Sequence, residues 1–423
     1  MPENAIAAGL VLPQLSRRVA EEHLEELEKL IESAGRTVVA RVLGKRPSPD
    51  PATWIGSGKA EQVESLRKHH NATLVVFDDD LSPAQVRNLE KIIEAKVIDR
   101  SGLILDIFAG RARSREARTQ VELAQLEYML PRLTRQWSHL SRQTGGAGAK
   151  RGVGETQLEM DRRIIRARIS HLKGDLKKIE QNRETQRKSR RSAFTVAIVG
   201  YTNAGKSTLF NQLTQGAALA ADRLFATLDA KSQRIAFEMP LDTVIIDTVG
   251  FIRKLPHHLV ASFRSTMEEA VAADLVLHVI DQSHPQYEEQ RTVGQEVLDD
   301  LGVDRDRIVE IYNKADLLDP KFGESRRGSV NVSALTGRGI DRLAEAIRER
   351  ELRGGDVLHL RIPHSKSRIA ARLHDLAVIR EQSSTDDSTL FTVWVPRDAV
   401  HIFRAYAAEN LINPAKVVAG QKS

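Results

Sequence analysis

The run Gly200-Tyr201-Thr202-Asn203-Ala204-Gly205-Lys206-Ser207-Thr208 has the spacing G-x-x-x-x-G-K-[ST], a pattern suited to cradling a phosphate chain. Glycines let backbone N–H groups approach an anion, Lys206 would reach the terminal phosphates, and the Ser207 hydroxyl would ligate magnesium. The apolar run 195–199 precedes the loop and the helical pattern 209–213 follows it, so strand, loop and helix come in the required order. The chemistry expected is hydrolysis of a nucleoside triphosphate. A glycine loop alone could also be a plain turn or an ATP site, so the weight rests on the segments that follow.

Asp247-Thr248-Val249-Gly250 ends a second buried-looking strand, 243–247. There the Asp247 carboxylate can hold magnesium through water and the Gly250 N–H can meet a γ-phosphate. Asn313-Lys314-Ala315-Asp316 follows the strand 308–312, and Ser333-Ala334-Leu335 follows 329–332; both are placed to read the base. Asp316 can accept from N1–H and the 2-amino group of guanine, whereas adenine has no donor there, which favours GTP over ATP. Between these motifs lies Phe225-Ala226-Thr227-Leu228-Asp229. Thr227 is the expected switch residue, its hydroxyl completing the magnesium shell only when the γ-phosphate is present. Lys206, Thr227, Asp247 and Gly250 form the predicted catalytic set, with Ser207 and Thr227 as metal ligands. Each motif alone admits a purely structural reading; several in order at strand ends of a doubly wound sheet point to a GTPase.

Phe251 stands where many regulatory GTPases of this pattern carry a glutamine that orients the attacking water. Turnover is therefore expected to be low alone and to rise when a large partner orders the switches. In similar GTPases an asparagine at the place of Asn203 helps to hold a potassium ion, and a plain loop asparagine is the alternative.

The elements that must position these residues sit in a chain of 423 residues, enough for several cores. The chain has no cysteine, which excludes disulfides, zinc thiolates and thiol nucleophiles and fits a reducing cytoplasm. No leader pattern and no membrane-length apolar run is evident, so a cytoplasmic protein, monomeric when free, is expected. The net charge of +6 is unevenly spread: residues 131–195 carry 17 Lys/Arg against 6 Asp/Glu. That stripe is either a solvated helix face or a polyanion-binding surface.

Residues 1–110 read as a small parallel α/β domain, with a helix over 16–34, strands at 37–43, 73–77 and 96–98, and a helix opened by Ser82-Pro83. Gly56-Ser57-Gly58-Lys59 is an incomplete phosphate loop, read as a tight turn into a helix or as a phosphate contact. Asp78-Asp79-Asp80 is an acidic capping loop or a metal site. Residues 111–194 form a predicted antiparallel helical arm: Leu123, Leu126, Leu130, Leu133, Trp137 and Leu140 repeat at helical spacing, as do Ile165, Ile169, Leu172, Leu176 and Ile179. Pro131 is expected to kink its first helix. The arm's tip, 143–157, has five glycines flanking Lys150-Arg151, a loop able to wrap on phosphate or rRNA. The GTPase domain spans 195–352, and 353–423 read as a small α+β domain in βαββα order.

The tip sequence, from Gly145 through Arg151 and Gly154-Glu155-Thr156-Gln157 to Asp161-Arg162-Arg163, joined to the GTPase motifs above, resembles the HflX family of translational GTPases. The resemblance extends over about residues 10–360. It implies binding to the large ribosomal subunit and its rRNA, with Lys150, Arg151, Arg162 and Arg163 as RNA contacts. It also implies GTP-dependent dissociation of stalled or idle ribosomes under stress, with magnesium as cofactor and potassium as a candidate second ion. Family members are reported to use ATP through the N-terminal region, here without assigned residues. The alternatives are a GTP-gated assembly or guarding factor for the large subunit, and a signalling GTPase that docks proteins through its switches. The basic arm and the lack of a lipidation motif count against the last of these.

Overall fold

The computed structural model describes residues 3–133, 157–189, 193–216, 224–225, 231–239, 241–254, 267, 269–318, 328–397 and 399–407. The chain forms two compact units. The first holds Met1–Thr185, Ala221–Ala230 and Thr248–Glu268, and the second holds Gln186–Ala220, Lys231–Asp247 and Glu269–Ser423.

The first unit is built on a four-stranded parallel sheet. Its elements run β1 (Asn4–Val11), α1 (Arg17–Ser33), β2 (Thr37–Lys45), α2 (Ser57–His70), β3 (Leu74–Phe77), α3 (Pro83–Ile93), β4 (Lys96–Asp99), α4 (Arg100–Arg111) and α5 (Arg115–Met129), with spatial order β2-β1-β3-β4. Local chemistry sets the helix starts. Ser82 and Gln85 cap α3 reciprocally, with Pro83 in the first turn, and Ser16 and Asp99 accept N–H bonds at the starts of α1 and α4. The central strand β1 is the element missing from the sequence reading. Its run Ala5-Ile6-Ala7-Ala8 is wholly buried, yet such small residues give neither period-2 alternation nor β-branched enrichment. The acidic run after β3 serves as an acceptor cluster. Asp78 takes Arg100 at 2.7 Å, Asp79 takes the Trp54 indole N–H, and Asp80 takes the Ser101 hydroxyl. Among the described residues no group of three or more side chains is arranged to hold a metal ion.

Pro131 ends α5 instead of kinking it, because Leu130–Arg132 tighten into a 3-10 turn and Leu133 is extended. A proline cannot donate to the i−4 carbonyl, and a short turn accommodates its fixed φ. The long helix α6 (Gln157–Ser189) has 33 residues, about 50 Å at the usual rise. It is joined to α5 by a bidentate Arg168–Glu122 pair at 2.7 and 2.9 Å and by Lys173–Glu127 at 2.9 Å, with Leu172 buried. The tip with Lys150 and Arg151 lies outside the described residues. No described helix is long and apolar enough to cross a membrane.

The second unit has a doubly wound sheet of β5 (Phe194–Gly200), β6 (Lys231–Arg234), β7 (Thr243–Asp247), β8 (Leu275–Asp281), β9 (Ile308–Asn313) and β10 (Val330–Asn331), in the order β10-β9-β8-β5-β7-β6. All neighbours are parallel except β6 against β7. Helices α7 (Lys206–Thr214), α8 (Tyr287–Asp300) and α9 (Ile340–Arg353) accompany it. Its core joins Val196, Ile198, Leu209, Leu277, Ile311 and Leu343. The chain ends in β11 (Gly355–Pro363), α10 (Ser367–Leu376), β12 (Val378–Ser384), β13 (Ser388–Pro396) and the short α11 (Val400–Phe403), an antiparallel sheet of order β11-β13-β12 with its own core around Leu360, Phe391, Val393 and Phe403.

Candidate functional site

The site is built at the carboxyl ends of β5, β7 and β9, where an open α/β sheet offers a crevice. Strand β5 is buried from Val196 to Val199 and ends in Gly200. Gly200 has φ +147, and a Cβ there would stand 2.2 Å from the Val279 carbonyl oxygen; only glycine lets β5 pass this close to β8. The chain then turns through Tyr201 and Thr202, both buried, to Asn203 in the left-handed region at φ +63. Gly205 follows at φ +93, with room for no Cβ because the Asn313 Nδ2 would be 2.2 Å away.

Lys206 opens α7 and is buried. Its ammonium folds back over the loop and donates to the Tyr201 carbonyl at 2.7 Å. Burial pushes its pKa down to about 8, partly opposed by the Asp247 charge. The Ser207 hydroxyl donates to Asp247 Oδ2 at 2.8 Å, so the two elements bring hard oxygen donors together. That pair of hard oxygen donors fits a magnesium ion. Thr208 continues the same first turn of α7.

Asn313 and Asp316 do different things. Asn313 is buried; its Nδ2 donates to the Ala204 carbonyl at 2.8 Å and its Oδ1 accepts from the Ala334 N–H at 2.9 Å. One carboxamide therefore ties the phosphate loop, the end of β9 and the segment after β10 together. Asp316 is exposed, and one of its carboxylate oxygens accepts from the Ser333 hydroxyl. Lys314, left-handed at φ +62, pairs with Asp281 at 2.6 Å, while the Ala315 N–H donates to the Val332 carbonyl at 3.1 Å. Leu335 is 76% exposed beside this loop, open to pack on a planar ligand. The sequence marked this segment as a candidate base reader, and it did not show that Asn313 braces it.

The remaining predicted site residues fall in the first unit or outside the described residues. Thr248, Val249 and Gly250 are buried and belong to the first unit with Phe251. Phe225 is buried at φ +58, edge-on to Phe108 with ring centroids 4.7 Å apart, and Arg111 donates to the carbonyls of Leu224 and Phe225. Just past Phe251, Arg253 reaches Glu26 at 3.3 Å and Lys254 reaches Asp78 at 2.7 Å. Arg111, Arg253 and Lys254 were not singled out in the sequence, since nothing local marks a partner more than a hundred residues away. Ala226, Thr227, Leu228 and Asp229 lie outside the described residues. On α6, Arg163 is exposed and Arg162 donates to the Leu133 carbonyl at 3.5 Å.

A family model described as "GTP-binding GTPase N-terminal" matches residues 21–109, "GTP-binding GTPase Middle Region" matches 111–190, and "50S ribosome-binding GTPase" matches 195–314. Among curated proteins the chain is similar to GTPase HflX of Escherichia coli (strain K12), 45% identical over 378 residues that make up 87% of this chain and 88% of the relative. GTPase HflX of Magnetococcus marinus is 42% identical over 402 residues, 93% of each. Among solved structures, the crystal structure of SsGBP in complex with GDP covers 82% of this chain and 98% of its own, at 26% identity and a TM-score of 0.48.

Proposed function

The chain belongs to the GTPase HflX family, and from that premise we propose that it hydrolyses GTP to GDP and phosphate as a ribosome-associated factor acting on the large subunit. The observation that carries the reading is the Asn313 brace, which fixes a guanine-selective carboxylate, Asp316, relative to a phosphate loop. Lys206 and the N–H groups of the loop 200–208 bind the phosphates. Asn313, Asp316 and the segment Ser333-Ala334-Leu335 hold guanine. Ser207 and Thr227 would hold magnesium, which when bound would supply charge to offset that developing on the transferred phosphoryl group. Asp247 would help to hold the metal and the Gly250 N–H would take the γ-phosphate. Asn203 would be the residue to hold the candidate potassium ion, with a plain loop asparagine as the alternative.

In this reading, residues 1–110 and the arm 111–194 dock on the large subunit, with Lys150, Arg151, Arg162 and Arg163 on rRNA phosphates, while 195–352 form the GTPase. Binding in the GTP state separates the subunits, and hydrolysis resets the factor. The test is GTP turnover with and without purified large subunits, beside sucrose-gradient profiles of intact ribosomes given GTP or a non-hydrolysable analogue. Stimulated turnover plus splitting with the analogue is the expected result. Stimulation without splitting would instead support an assembly or guarding factor, and no stimulation would remove the ribosome from the reading. Thr227→Ala should retain GDP yet lose stimulated turnover; normal stimulation in that variant would overturn the switch assignment.

A further inference from the structure

A cavity of about 450 Å³ opens in the second unit beside β5, β7 and β6. Its floor is the sheet face turned away from the core. Val196 and Ile245 belong to that core, and Thr195, Val244 and Ile246, which alternate with them along β5 and β7, point the other way into the cavity. The facing wall comes from the end of the helical segment 269–272 and the residues after it. There Ala272 and Ala273 are too short to fill the space over Val244 and Ile246.

The same cavity reaches β6, the last strand of the sheet. Ser232 stands opposite Ile246 and Arg234 opposite Val244, so both side chains lie on the cavity face. Strand β6 is exposed along its whole length, and among the described residues no strand pairs with its outer edge. The Ile235 N–H donates to the Thr243 carbonyl at 3.0 Å, whereas the Ala236 N–H turns outward to the Leu213 carbonyl at 2.8 Å. By the alternation of an antiparallel ladder, the Ser232 and Arg234 N–H groups also point away from β7. An open edge and an apolar cavity therefore share one strand. Lys231 and Arg234 give that strand two cations and no carboxylate. Arg234 meets Asp242 at 2.8 Å, but its side chain is 77% exposed, and such a pair yields readily to a second carboxylate.

We propose that β6 and this cavity together dock an extended, acidic segment of a partner protein, which adds to the sheet as a further strand and seats one apolar side chain in the cavity. Main-chain hydrogen bonds to the outward groups of Ser232 and Arg234 supply affinity, and the cavity supplies selectivity. An apolar side chain opposite the small Ser232 lies next to Ile246. The residue two along then stands opposite Arg234, where a carboxylate completes the register. Glu269 and Asp274 on the far wall keep acidic side chains out of the cavity itself and leave it to an apolar one.

The probes are acetylated, amidated peptides Glu-Thr-X-Thr-Glu, with X as Ala, Leu or Phe, titrated into the isotope-labelled full chain in saturating GDP and followed by NMR at the Val244 and Ile246 methyl groups. The Phe peptide is expected to bind about tenfold or more tightly than the Ala peptide. Ser232→Pro removes an outward N–H while leaving the bonds to β7 in place, and Ala272→Phe fills the cavity from an exposed position. Both should weaken the Phe peptide about tenfold, and Ala272→Phe should also erase the preference over Ala. GDP affinity and melting temperature should stay unchanged, as should peptide binding in the control Lys366→Gln, an exposed lysine elsewhere in the unit. Equal affinity for all three peptides, or no binding of any, would overturn the proposal. So would a concentration-dependent dimer in sedimentation that Ser232→Pro dissolves, since that assigns the edge to a second copy of the chain. None of these readouts depends on GTP hydrolysis or on the ribosome.

Discussion

At the scale of single residues, two side chains govern the candidate site through what they do in the absence of catalysis. Asn313 makes two buried hydrogen bonds at once, and truncation would leave both the Ala204 carbonyl and the Ala334 N–H without this partner. Each such group costs about 1–3 kcal/mol, so Asn313→Ala should lower the melting temperature and weaken GTP and GDP alike by at least tenfold in calorimetric titration. A loss confined to nucleotide affinity, with stability intact, would show that Asn313 reads the base without bracing the loop. Lys206 makes a pH prediction. Its folded pKa of about 8 lies below the ordinary lysine value of 10.5, so between those values the unfolded chain retains a proton that the folded chain has released. Stability without nucleotide is therefore lowest below pH 8 and rises as pH climbs from about 8 to 10.5. Lys206→Met should flatten that rise and abolish GTP binding; parallel melting curves from pH 7 to 10.5 for the two proteins check it.

At the scale of elements, two glycines in regular structure should respond with opposite sign. Gly174 lies within α6 and an added Cβ there meets nothing within 4 Å, so Gly174→Ala should stabilise the arm helix by about 1 kcal/mol. Gly200→Ala forces a side chain into φ +147 and onto the Val279 carbonyl, and should destabilise the second unit by about 2 kcal/mol or more. Chemical denaturation of both variants decides the signs. The same contrast explains what could be read in advance. The phosphate loop was legible because its chemistry demands fixed residue types at fixed spacing, and α3 because Ser82, Pro83 and Gln85 announce its start. Strand β1 was not, since a run of alanines has no period. The grip of Arg111 on Leu224 and Phe225 was not legible either, because it joins residues 113 and 114 apart in sequence. Pro131 was noticed but misjudged: it ends a helix where a kink was expected, an outcome that depends on whether the following turn can tighten.

At the scale of the whole molecule, charge is the feature with a measurable consequence. The excess of 17 Lys/Arg over 6 Asp/Glu in residues 131–195 leaves the rest of the chain slightly acidic, so affinity for a polyanion should concentrate in that stretch. Lys150→Glu/Arg151→Glu is expected to weaken large-subunit binding about tenfold and to flatten its dependence on log salt by about 1–2. Filter binding across a salt series measures both, and an unchanged slope would place the RNA contact elsewhere. The make-up of the two units has a different consequence. The first unit takes three stretches of chain, and the second takes the intervening stretches together with the C-terminal part, so the chain crosses from one unit to the other five times. A cut at any single point leaves at least one unit assembled from both fragments. No single recombination event in the gene could therefore exchange one unit whole and leave the other whole.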